Sequence, residues 1–291
     1  MAQQSPPWET QQPEMRIDAH QHFWKYDPRE YDWIDDRMLA LRRDCLPADL
    51  KAPLERCGFG GSVAVQARQS LEETRWLLEL AAQSPFILGV VGWVDLRSHE
   101  LRAQLERFAA NPKFVGVRHV VQDEPDDRYL LRSDFLRGIG MLAGYKLAYD
   151  ILIYPRHLPA AVEFARRFPS QRFVLDHLAK PPIASGKLEP WASDIRELAK
   201  SENVWCKVSG MVTEAKWREC SLDVYRPYLD VIFEAFGTKR LMFGSDWPVC
   251  TVSAPYDQVA GIVLSYLERF SAAERKAVLG GNAARFWNLT P

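Results

Sequence analysis

Eight short runs rich in β-branched and aromatic residues recur along the chain, at 15–20, 61–66, 87–94, 114–119, 147–152, 172–177, 203–209 and 241–246. Amphipathic stretches separate them, among them 71–83, 158–168 and 222–236, and 272–287 reads as closing helices. Strands that alternate with helices form βα units, whose strands align in a parallel sheet. Eight units close a (β/α)8 TIM barrel, and 291 residues suffice for one, since such barrels run from about 200 residues upward as a single domain. The rival, an open doubly wound sheet, is marked by a glycine-rich phosphate loop or G-x-G-x-x-G after its first strand, and neither follows 15–20. The barrel is expected to occupy 15–291, after a disordered N-terminal tail over 1–14.

Composition narrows the function. Hydrophobic residues at 47% and charged residues at 26% describe an ordinary globular chain able to bury a large core. A formal net charge of −1 lacks the basic excess of a nucleic-acid binder. The five cysteines form no C-x-x-C pair and their odd number leaves one unpaired in any disulfide scheme, which fits a reducing, cytoplasmic setting. Residues 1–14 have no signal-peptide character, and no run reaches the roughly 18 apolar residues of a membrane span. A small-molecule partner is therefore expected, with no nucleic acid and no membrane; a homo-oligomer stays open.

In barrels of this class the chemistry sits where the strands end. The expected strand ends supply His20 and His22, Gln66, Asp95, Arg118 and His119, Asp150, His177, Ser209 and Asp246. Four of the chain's six histidines are in that set. Side chains two apart on a strand point the same way, so His20 and His22 can converge on one ion or substrate. The same reasoning puts His177 on the face of Leu175, with Lys180 in the exit loop. Asp246 ends an apolar run that Pro248 stops, a poor place for an acid unless it does chemistry. Imidazoles and a carboxylate suit a zinc-like ion that lowers the pKa of bound water to about 7. His20, His22, His177 and Asp246 are the candidate ligands, and Asp246 is also the candidate base.

Arg118 and His119 are adjacent, so strand alternation keeps them from both facing inward; a salt bridge and a substrate contact are both open for Arg118. Asp150 and Gln66 are candidate substrate contacts, with a supporting structural role equally open for Asp150. The long first connection, 23–60, carries Phe23, Trp24, Tyr26, Tyr31 and Trp33 and is expected to form a lid or binding wall, with Trp24 offering an aromatic face to a sugar.

Four blocks, Ile17-Asp-Ala-His-Gln-His-Phe-Trp24, Gly116-Val-Arg-His-Val-Val-Gln122, Val174-Leu-Asp-His-Leu-Ala-Lys-Pro181 and Phe243-Gly-Ser-Asp-Trp-Pro248, resemble the sugar-lactonase branch of the amidohydrolase superfamily. The resemblance spans 15–291 and looks most like hydrolases of L-fuconolactone or L-rhamnonolactone. It implies that His20, His22, His177 and Asp246 are the superfamily's site residues on strands one, six and eight. Arg118, His119 and Lys180 look like additions of this branch, with His177, His119 or Lys180 stabilising the oxyanion. The fifth strand lacks the histidine many members place there, and the fourth offers no bridging lysine, so one divalent ion, zinc by preference, is expected rather than two. The branch also contains lactonases that need no metal. Hydrolysis of a dicarboxylate or pyrone-type lactone and decarboxylation are the other chemistries of similar barrels; a barrel that only binds ligand would have little use for a full His/Asp rim.

Overall fold

The computed structural model describes residues 15–290. The tail expected over 1–14 and Pro291 lie outside them. Strands β1 (Ile17–Gln21), β2 (Gly61–Val65), β3 (Ile87–Gly92), β4 (Phe114–Val120), β5 (Ala148–Leu152), β6 (Phe173–Leu175), β7 (Val204–Val208) and β8 (Leu241–Phe243) form one sheet in sequential order. Every neighbouring pair is parallel. The expected eight-unit alternation is thus the observed architecture.

The ring closes between β1 and β8 through a few bonds at the strand-end rim. The backbone N–H of Asp246 donates to His20 O (2.8 Å), and that of His22 donates to Trp247 O (2.6 Å). The buried Asp18 carboxylate accepts from Ser245 N (2.9 Å) and Tyr256 Oη (3.1 Å), replacing ladder bonds that β8 is too short to make. Burial raises Asp18 to about 6 against the pull of these donors.

Most buried apolar residues lie between the strands and the surrounding helices. A smaller cluster inside the strand-start end joins Ile17, Val63, Val91, Val174 and Met242 to Phe286 and Trp287 of the last helix, Asn282–Trp287. That helix plugs the barrel floor and leaves polar groups only toward the strand ends. Among the described residues no helix is long and apolar enough to cross a membrane.

The first connection holds a 3-10 helix, Asp36–Leu41, and the helix Pro47–Arg56. Trp24 does not present a face to a ligand, contrary to expectation. It is fully buried, edge-on to Trp33 (5.8 Å) and against Tyr31, and its indole N–H donates to Arg43 O (2.9 Å). A loop of this length needs its own core, and Trp24 supplies it. Tyr31 then latches the loop to the helix Leu71–Gln83 by donating to Glu73 Oε1 (3.1 Å).

Candidate active site

β6 ends two residues and β8 three residues before the point their apolar runs suggested, because the site residues leave the strand. From His177 to Lys180 the backbone is left-handed (φ 54°, 56°, 55° and 52°), and Asp246 has φ 59°. For residues with a Cβ this conformation is uncommon and costs energy that surrounding packing must hold. His177 therefore reaches the site through a tight turn and not by strand alternation. Gly210 makes room for that turn: it has φ 64°, and a Cβ there would lie 2.4 Å from His177 Nδ1. Gly244 does the same for His20, whose Cβ would stand 2.6 Å from a side chain at that position.

The four expected ligands converge. His22 Nε2 lies 3.2 Å from His20 Nε2 and 3.3 Å from Asp246 Oδ1. His20 Nε2 and His177 Nε2 are each 3.9 Å from the same carboxylate oxygen. Ligand atoms of His20, His177 and Asp246 all fall within 4.8 Å of one another, and all three residues are buried. Donors around a tetrahedral ion with bonds of about 2.0–2.2 Å sit roughly 3.5 Å apart, so the observed spacing fits zinc-like coordination.

Each ring is oriented from behind. His22 Nδ1 meets Val65 O at 2.8 Å; a carbonyl only accepts, so the proton is on Nδ1 and the Nε2 lone pair faces the site. His177 Nδ1 meets Ser209 Oγ at 2.9 Å. Burial lowers His177 to about 4, and burial, reinforced by Lys207, drives His20 well below the imidazole range. Burial opposes ionisation of Asp246, but His177, His22 and His20 outweigh it and hold the carboxyl well below its usual range. Near neutral pH Asp246 is thus a carboxylate beside the neutral imidazoles of His20 and His177, the protonation state a divalent ion requires of its ligands.

Arg118 and His119 divide as alternation demands. Arg118 points inward: Nη1 is 3.1 Å from Asp176 Oδ2 and 3.3 Å from His20 Nε2, and Nη2 donates to Gln66 O and to Gln66 Oε1 (3.0 Å). His119 points away. Its ring stacks on Tyr129 (5.1 Å) and meets Glu124 Oε1 at 2.8 Å, so the expected oxyanion role is withdrawn. Gln66 is spent on Arg118 and is fully buried, which removes it as a substrate contact. Asp150 is likewise no substrate contact, being fully buried and bonded to Lys207.

Lys180 stands in the exit turn, partly exposed, 3.9 Å from Glu214 Oε1 and 5.2 Å over the Tyr154 ring. Burial raises the Glu214 carboxyl, and nearby Asp246 adds to the effect. Three contributors escaped the sequence reading: Lys207, Asp176 and Glu214. A charge in a strand ordinarily marks a solvent face. The signal that could have found Lys207 is its spacing, two residues before Ser209 on the same side of β7.

Comparison with known proteins agrees with this geometry. A family model described as Amidohydrolase matches residues 17–289. An L-fucono-1,5-lactonase of Burkholderia multivorans is 44% identical over 286 residues, covering 94% of this chain and 96% of that protein. Its counterpart in Burkholderia ambifaria is 42% identical over 279 residues, covering 94% and 96%. A crystal structure of a Burkholderia multivorans amidohydrolase with bound zinc superposes with a TM-score of 0.91 at 44% identity, covering 95% of this chain and 100% of that one.

Proposed function

Since the chain belongs to the amidohydrolase family, we propose that it hydrolyses a sugar lactone, an aldonolactone of the L-fucono or L-rhamnono type, to the aldonic acid. The observation that carries the reading is Asp246: a buried carboxylate held ionised among His20, His22 and His177 where strands end. The named relatives support the same chemistry.

The residues fit one divalent ion, with His20, His22, His177 and Asp246 to hold it; when bound, it would polarise the lactone carbonyl and acidify water. Asp246 accepts the proton of the attacking water, whose oxygen bonds to the carbonyl carbon. His177, held at Nδ1 by Ser209, turns Nε2 toward Asp246 as a candidate ligand of the ion, and Lys180 supplies positive charge from the rim toward the oxygen on which charge develops. The proton held on Asp246 passes to the ring oxygen as its bond to the carbonyl carbon breaks. Lys180 and the neighbouring Glu214 are the candidate partners for sugar hydroxyls. The donor set favours zinc, and the cytoplasmic setting is supported by the five cysteines, none of which is paired among the described residues.

A dicarboxylate substrate would need converging cations, and Arg118 is already committed to Asp176 and Gln66. A pH-indicator screen of aldonolactones differing in configuration and ring size, run with metal analysis, tests the proposal. Turnover of one 6-deoxyaldonolactone well above the others is the expected result; no turnover of any removes the reading.

A further inference from the structure

Below the histidines lies a charged group that the hydrolytic steps do not use. Lys207 is fully buried, with its ammonium between the Trp287 ring on the barrel floor (5.2 Å) and His20 above it. Its Nζ bonds Asp150 Oδ2, lies 3.0 Å from Asp176 Oδ1 and 3.2 Å from His20 Nδ1. An ammonium only donates: the Asp150 carboxylate of β5 accepts from it, and the Asp176 carboxylate of the turn after β6 and His20 Nδ1 at the end of β1 lie beside it. Asp176 also reaches His20 Nδ1 (3.4 Å) and, through its other oxygen, Arg118 (3.1 Å), whose guanidinium meets the opposite nitrogen of the same ring. His20 is thus flanked at both nitrogens by a network of two cations and two carboxylates whose formal charges cancel.

Stability alone is a weak reason for such an arrangement, because apolar residues of similar volume commonly do as well as a buried ion pair. Its geometry does something an apolar floor does not: it fixes the height and rotation of one ring of the site from beneath. We propose that Lys207, steered by Asp150 and Asp176, is a positioning residue that sets His20 for the hydrolytic site. The groups that hold the partner of a metal-binding histidine typically change metal affinity or activity by about 10–100-fold when altered. The activity part of this inference rests on the lactonase reading; the metal part does not.

The test is the charge-neutral double variant Lys207→Met with Asp150→Asn, which removes one positive and one negative charge together. Three quantities are measured on the full chain: Tm, zinc affinity by titration calorimetry after metal removal, and kcat and KM for the lactone. The expected result is a folded protein whose zinc affinity and kcat both fall by about 10–100-fold while KM changes by less than about threefold. A folded variant with wild-type zinc affinity and kcat, even at a lower Tm, overturns the proposal and leaves Lys207 a structural role only. If the double variant does not fold, Asp150→Asn alone keeps the lysine but removes the partner that steers it. A fall of about threefold or more in zinc affinity is then expected, and unchanged affinity and kcat overturn the proposal. Loss of zinc affinity in a protein that opens no lactone at all would defeat the lactonase reading while sustaining this one.

Discussion

Two layers of polar side chains lie one over the other inside this barrel, and they are balanced in opposite ways. The lower layer, Lys207, Arg118, Asp150 and Asp176, pairs two cations with two carboxylates and is closed to solvent. The upper layer sets one carboxylate, Asp246, among three imidazoles and keeps their inner nitrogens free of backbone partners. A closed network rigidifies, whereas an unbalanced cluster of donors invites a ligand. Paired charge below and converging ligand atoms above are how the fold supplies both precision and reactivity.

The comparison can be broken at several points. His22→Asn removes a nitrogen from the upper layer, and zinc affinity measured by calorimetry is expected to fall by more than about 100-fold. Ser209→Ala leaves every inner donor in place but frees the His177 ring; a loss of roughly tenfold in kcat/KM is expected in a lactone assay. A third test concerns a buried acid outside both layers. Glu73 accepts from Ala67 N, Arg68 N and Tyr31 Oη, yet burial raises it to about 7. Its folded pKa exceeds its unfolded value, so the folded state binds the proton more tightly and stability falls as pH rises from about 4.5 to 7. Urea unfolding at pH 5 and pH 8 is expected to show Glu73→Gln flattening that slope by about 1–3 kcal/mol. Smallest is His119→Asn: with its ring held by Tyr129 and Glu124, turnover should change by less than about threefold, while stability drops by about 1 kcal/mol in the same denaturation assay. A hundredfold loss of turnover there would return His119 to the site.

What the sequence disclosed follows from the range over which each signal acts. Eight buried strands were legible because a parallel strand covered on both faces is a continuous apolar run. His20, His22, His177 and Asp246 were legible because each polar residue interrupts such a run. The turns that deliver two of them were not, since a left-handed backbone at His177 or Asp246 has no glycine to announce it. Lys207 was hidden for a different reason: its partners come from β5 and the turn after β6, and only the closed barrel brings them together. Trp24 misled because an aromatic in a long loop reads the same whether it faces a ligand or the loop's own core.

The central claim is that Asp246 activates water for attack on a lactone carbonyl. It is tested most directly by the rate of proton release from the preferred aldonolactone, measured side by side for the wild-type protein and Asp246→Asn, with circular dichroism confirming the fold. The account predicts that the variant keeps its fold and loses about 10²–10⁴-fold in kcat. A folded Asp246→Asn protein that turns the lactone over at the wild-type rate would contradict it.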